Sequence, residues 1–192
     1  MSAAPEQPAF FYFDLADPWS YLVAERILGV LPVVCEWQPV HGPQLGWSAP
    51  TPDAPALQAV IAEHGLLPLR LPPRWPPDTR RAMLACTFAK SGGKTVAFAL
   101  AAFRQAFAGG RELGDEATVL LAAAAAEMHP RAVLKAMEMR SVSDSLERAG
   151  QRARDAGVAA LPAIQLGGEL FAGADALDRA LARLAVDPAR VG

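Results

Sequence analysis

Phe10 to Leu15 is an aromatic-rich run, and a run of this length and composition reads as a buried strand. Asp17 and Pro18 follow it. Aspartate is a favoured N-cap and proline a favoured first helical residue. Tyr21, Leu22, Ala24, Ile27 and Leu28 then recur on one helical face, which predicts a helix over Pro18–Leu28 that stops at Gly29. Pro32 leads into Val33–Trp37, a β-branched and aromatic segment expected to be a second strand. A strand, a helix and a strand joined by a short crossover place the two strands parallel.

The period changes after this unit. Val40–Ala56 is rich in Pro and Gly and reads as an irregular loop. Leu57, Val60, Ile61 and His64 have helical spacing within Ala54–His64. Pro68–Pro77 is a second proline-rich loop, and helices are expected over Asp78–Lys90, Thr95–Phe107, Asp115–Glu127 and Pro130–Met139. Ser141-x-x-Asp144 reads as a capping box for a helix running to Ala156, closed by Gly157. Val158–Leu166, the turn Gly167-Gly168 and Glu169–Phe171 form a strand and its return. Gly173–Leu184 is the last helix, with Leu177, Ala180, Leu181 and Leu184 on one face. The sum is an α/β fold: a four-stranded mixed sheet flanked by helices, with an all-helical insertion between the second and third strands. Residues 1–39 and 140–192 are expected to form the sheet domain and residues 40–139 the insertion.

Composition narrows the function. A chain of 192 residues with 52% hydrophobic residues is long and apolar enough for a real core. The net charge of −2 and the lack of a basic stripe argue against nucleic acid. The alanine-rich run Val119–Ala126 is too short to cross a membrane. Met1–Pro8 has neither a basic residue nor an apolar segment, so no secretory leader is expected there and the cytoplasm is the expected compartment. Cys35 and Cys86 are far apart, and no Cys-x-x-Cys is present, so dithiol exchange lacks its reagent. Both read as buried thiols. His41, His64 and His129 show no metal-ligand spacing, and no metal is expected.

A strand delivered straight onto a helix N-terminus makes an anion-binding corner, because free N–H groups and the helix dipole point at it. Asp17 stands at that corner. It can cap the helix, and residue type favours this role; the same oxygen could also face a ligand. The helix end is expected to hold its pKa low, making it a base or acceptor. Ser20 reads as a second-turn residue or a nucleophile, although no histidine is near it in sequence to activate it. Asp78 follows two prolines and reads as a helix start. Phe10, Tyr12 and Trp19 read as core or pocket wall. Arg70, Arg74, Arg80 and Arg81 form either a solvated rim or a clamp for a carboxylate. Trp37, Trp47 and Trp75 bracket the same loops and could line a ring-accepting pocket between the sheet and the insertion.

Phe11-Tyr12-Phe13-Asp14-x-x-x-Pro18-x-Ser20-Tyr21-Leu22 resembles the opening of the 2-hydroxychromene-2-carboxylate isomerase and kappa-class glutathione transferase group, within the DsbA-like family. Leu67–Pro76 is similar to a loop of that group. Gly157–Pro162 and Gly168-Glu169-Leu170-Phe171-x-Gly173-x-Asp175-x-Leu177 are similar to its Gly-Val-x-Gly-Val-Pro and Phe-Trp-Gly-x-Asp-x-Leu segments. The resemblance spans nearly the whole chain and implies a thioredoxin-like fold, whose reactive cysteines would fall at Asp17 and Ser20.

The resemblance further implies glutathione as cofactor. In the group, a serine at the position of Asp17 hydrogen-bonds the glutathione sulfur and favours its thiolate. In the isomerase the thiolate adds to the substrate, allows bond rotation and leaves again. The Leu161-Pro162 peptide would be cis and pair with the cysteinyl part, Asp175 would lie near the γ-glutamyl group, and Asp78 stands where an asparagine usually contacts the sulfur. Ala174-Asp175-Ala176 lacks the arginine that often follows the aspartate. A carboxylate at position 17 would repel a thiolate and, while ionised, donates no hydrogen bond. The expected site is therefore Asp17 and Ser20 as catalytic residues, with Asp17, Asp78, Leu161, Pro162 and Asp175 holding glutathione. Trp19, Trp47, Arg74, Trp75 and Arg81 would form the substrate pocket. The expected function is glutathione-dependent isomerisation or conjugation of an aromatic or hydrophobic acid. A catalytically degenerate binding protein is the alternative, and a thiol–disulfide oxidoreductase is disfavoured for want of a cysteine pair. A small-molecule substrate is the expected partner, with no nucleic acid or membrane, and relatives of this kind often form homodimers.

Overall fold

The computed structural model describes residues 9–186, so the reading of Met1–Pro8 and the tail from residue 187 lie outside the described residues. The chain opens with β1 (Ala9–Phe13), α1 (Pro18–Val30) and β2 (Cys35–Pro39). A short 3-10 turn at Gly42–Leu45 leads to α2 (Ala54–His64). Next come α3 (Arg80–Ser91), α4 (Thr95–Phe103), α5 (Glu116–Ala125) and α6 (Pro130–Glu138), with a π turn at Arg104–Ala108 after α4. The chain ends with α7 (Arg140–Asp155), β3 (Ala163–Leu166), β4 (Glu169–Ala172) and α8 (Ala176–Val186). The sheet order is β2-β1-β3-β4. β1 and β2 are parallel, and the other pairings are antiparallel. This is the mixed four-stranded sheet that the patterning predicts, interrupted by helices between β2 and β3.

Several boundaries differ from expectation, each for a local reason. α1 runs past Gly29 to Val30, and Leu31 turns extended at φ −80 and ψ 118 because it precedes Pro32. β2 starts at Cys35, opposite Ala9, and Val34 is 96% exposed. α3 starts at Arg80 with Thr79 at its cap, while the Asp78 carboxylate accepts from Arg80 N–H at 3.1 Å. Asp115 occupies the cap position of α5 without a side-chain bond. The capping box at Ser141 does not form. Met139 alone breaks the chain between α6 and α7, so Ser141 already lies in the first turn. Its carbonyl accepts from Ser145 Oγ, and Asp144 pairs with Arg140. β3 begins only at Ala163, because Pro162 has no N–H for the ladder.

One aromatic cluster holds the sheet, α1 and the inserted helices together. Phe11 stacks on Phe13 at 5.3 Å and meets the edge of Trp37 at 5.0 Å. Phe13 contacts Phe103 at 5.7 Å, and Tyr21 stacks on Phe107 at 5.7 Å. All except Trp37 are fully buried, and Trp37 nearly so. The sheet and the segment 40–139 therefore share one apolar core. Aromatic pairs of this kind add to the area they bury. Phe103→Ala is expected to cost about 3–5 kcal/mol, read as a lower midpoint in a denaturant titration that keeps a single transition.

Candidate functional site

Three chain segments converge at one edge of the sheet. The parallel strands β1 and β2 end there together, and Val40 N–H donates to the Phe13 carbonyl at 2.9 Å. Antiparallel β3 begins there, with Ala163 opposite Tyr12 and Pro162 just before it. Ligands of open α/β sheets gather at such carboxyl edges.

α1 starts at this edge, and its own chain satisfies its first turn. Pro18 has no N–H to offer. Trp19 N–H donates to Asp17 Oδ1 at 3.2 Å, and Ser20 N–H to Asp17 Oδ2 at 2.8 Å. The Ser20 hydroxyl donates to the same Oδ2 at 2.6 Å, and Tyr21 N–H donates to the Asp17 carbonyl at 3.1 Å. Asp17 is 0% exposed. The anion-binding corner exists, but an internal carboxylate fills it. The expectation of a low pKa for Asp17 is overturned. Burial outweighs the hydrogen bonds from Ser20 and Trp19 and pushes the carboxyl up to about 7, with a smaller push from Asp14.

Asp14, at the end of β1, is also buried. Its Oδ1 accepts from Ala16 N–H at 2.9 Å and from the Thr79 hydroxyl at 2.8 Å. Its Oδ2 accepts from Gly42 N–H at 2.6 Å. This carboxylate ties β1 to the loop after β2 and to the start of α3. The three segments enclose a pocket of about 360 Å³. Trp47, Pro43, Pro76 and Pro77 give it apolar walls, and Asp14, His41, Asp78, Thr79 and Arg80 supply polar groups. Gly42 lets Trp47 pack on bare backbone, since a Cβ there would sit 2.4 Å from a ring carbon. Burial, with a smaller contribution from Arg80, lowers the His41 pKa below its ordinary 6.5, while Asp14 and Asp78 act in the opposite direction. His41 is therefore neutral at pH 7.

The structure distributes the expected site residues unevenly. Trp47 and Asp78 line the pocket. Asp17 and Ser20 are enclosed and do not line it. The Leu161-Pro162 peptide is cis, and the Pro162 carbonyl accepts from Gly173 N–H at 2.8 Å. Both residues are buried outside the pocket lining. Asp175 is exposed and pairs with Arg179 at 3.1 Å. Trp19 packs half-buried against the main core, as Trp37 does fully. Trp75 donates its indole N–H to the Pro50 carbonyl at 3.1 Å, and its cis bond to Pro76 adjoins the pocket wall. The arginines do not form a common clamp. Arg74 N–H donates to Glu112 at 3.0 Å, Arg81 pairs with Glu116 at 3.4 Å, and Arg70 N–H donates to the Phe107 carbonyl at 2.7 Å. Only Arg80 reaches the pocket, because adjacent helical residues point in different directions.

Sequence reasoning missed Asp14, His41 and Thr79. The available signal was topological, since parallel strands β1 and β2 carry Asp14 and His41 to the same edge. Cys35 and Cys86 are both free, and burial raises both thiols, Cys35 to about 12. Cys35 is only partly buried, against the expectation of two buried thiols. Among the described residues no cluster could hold a metal ion, and no helix is long and apolar enough to cross a membrane.

The sequence matches the DSBA-like thioredoxin domain over residues 54–185, and the chain belongs to that family. Its fold is similar to that of 2-hydroxychromene-2-carboxylate isomerase, with a TM-score of 0.79 and 18% identity over 96% of this chain and 98% of that one. It is also similar to a probable DsbA oxidoreductase from Streptomyces coelicolor, with a TM-score of 0.73 and 18% identity over 94% and 89% of the two chains. A third similar structure is the cytosolic disulfide reductase DsbM from Pseudomonas aeruginosa with GSH, at a TM-score of 0.68 and 14% identity over 94% and 98%. A search among curated proteins finds no match.

Because the folded state holds the Asp17 carboxyl near 7 rather than its ordinary 3.8, folding disfavours its ionised form. Its stabilising contribution is complete below the ordinary value and is lost as pH rises through about 7. Asp17→Asn keeps a good cap and removes the titration. The stability of the variant relative to the natural chain, read from melting curves, should rise between pH 5 and pH 8 by up to a few kcal/mol. A constant difference across that range would contradict the raised carboxyl.

Proposed function

We propose that this chain binds glutathione and uses it to isomerise or conjugate an aromatic or other hydrophobic acid in the cytoplasm. The observation that carries this reading is the pocket at the carboxyl edge of the sheet. Its tryptophan and proline walls suit a ring, and Arg80 at its rim suits a carboxylate. The free cysteines add indirect support. With both thiols held protonated at neutral pH, any sulfur chemistry here needs a thiol from outside. The isomerase and the GSH-bound reductase share this fold over nearly their whole length, which adds a fold-level argument for a thiol cofactor.

A second reading, a binding protein without turnover, is favoured by one observation. The Asp17 carboxyl already occupies the corner where a thiolate would be stabilised. Disulfide exchange by the chain itself is not proposed, because no cysteine pair is available.

Calorimetric titration with glutathione, alone and with aromatic carboxylates, tests the cofactor. Heat of binding and a raised melting temperature are expected. Absence of both would remove glutathione. Asp17→Ser separates the two readings further, since it withdraws the internal carboxyl from the helix end. Glutathione affinity is expected to rise about tenfold. Lower stability with no gain in affinity would leave Asp17 as a cap alone.

A further inference from the structure

The filled corner poses a chemical problem for the thiol reading. Every first-turn donor of α1 is satisfied by Asp17, so the helix end offers nothing further to a thiolate. An incoming thiol needs a base elsewhere. We propose that His41 is that base, taking the proton of a thiol bound in the pocket. The S–H bond breaks and an imidazole N–H bond forms, leaving a thiolate and an imidazolium. The proton returns to sulfur when the thiol leaves the product. This inference rests on the glutathione reading and names the residue that would ionise the cofactor.

The placement carries the proposal. His41 follows the end of β2, at the edge where β1 delivers Asp14 and where α1 begins. Its half-buried side chain lines the pocket beside Trp47. Among the described residues its ring makes no hydrogen bond, and the side chain is only partly buried. The backbone is nonetheless fixed, because the next residue, Gly42, donates to Asp14 at 2.6 Å. The charged groups facing His41 are Asp14 from β1 and Asp78 and Arg80 from the start of α3. Burial, the largest influence, favours the neutral ring, Asp14 and Asp78 favour the imidazolium, and Arg80 opposes it. Before the transfer the ring is neutral at pH 7, as a base must be. The other histidines, His64 and His129, are exposed and do not line this pocket.

The test follows thiolate absorbance of bound glutathione against pH, in the natural chain and in His41→Gln. A free cysteinyl thiol titrates at about 8.5. The bound thiol of the natural chain should titrate at least one unit lower, and His41→Gln should reverse this, cutting thiolate at pH 7 about tenfold. Added imidazole should restore part of it. Glutathione should still release heat on binding to the variant. In parallel, the His41 ring signal in the natural chain should shift to imidazolium when glutathione binds at pH 7. Binding with an unchanged thiolate titration in His41→Gln, or with an unresponsive His41 ring, overturns this inference and leaves the cofactor reading intact. No binding of glutathione by the natural chain overturns both.

Discussion

The buried Asp14 carboxylate is the constraint on which the site depends. It accepts hydrogen bonds from Ala16, Gly42 and Thr79, which belong to three separate stretches of chain. A carboxyl this deep is tolerable only because its oxygens are supplied with donors. The bonds hold the end of β1, the turn after β2 and the first residue before α3 in one arrangement. The pocket is the space those three segments leave between them. Its shape is therefore set by an electrostatic tie rather than by apolar packing alone, and the packing of Trp47 on Gly42 depends on the same tie.

Asp17 does a different job only three residues away. A helix N-terminus presents free N–H donors, and here the chain provides its own acceptor in the Asp17 carboxyl. Depth makes that carboxyl reluctant to ionise, while the donors around it favour ionisation, and depth prevails. Two aspartates on one short loop thus diverge. One builds the pocket, and the other closes the corner behind it. The family fold is kept, and the helix end at Asp17 becomes internal structure, which leaves the residues facing the cavity as the accessible polar groups at this edge.

Much of the architecture was legible because it was written in short-range patterns. The aromatic run of β1, the Asp17-Pro18 start of α1 and the Gly167-Gly168 hairpin each carry their cause in neighbouring residues. The boundaries that moved did so where the cause was distant. Val33 and Val34 look like strand, yet pairing begins only opposite Ala9. Ser141 and Asp144 have the spacing of a capping box, yet the break at Met139 places them inside the helix. The site was less legible for the same reason. Asp17 was visible as a cap, but its depth depends on packing across the whole molecule. Asp14 and His41 meet only through strand register, and Arg80 is separated from Arg81 only by where α3 begins.

The aromatic cluster also governs how anything gets in. Phe13 on the sheet and Phe103 on the inserted helices are in direct contact, so a clamshell motion of the two halves would wet several rings at once. That route is closed energetically. The cavity opens instead beside the irregular stretches 46–53 and 66–79, whose Trp47, Pro76 and Pro77 line it while Trp75 and Thr79 are tied by hydrogen bonds to Pro50 and Asp14. An aperture bounded by prolines and an indole on one side and by a shared aromatic core behind it therefore has a largely fixed outline.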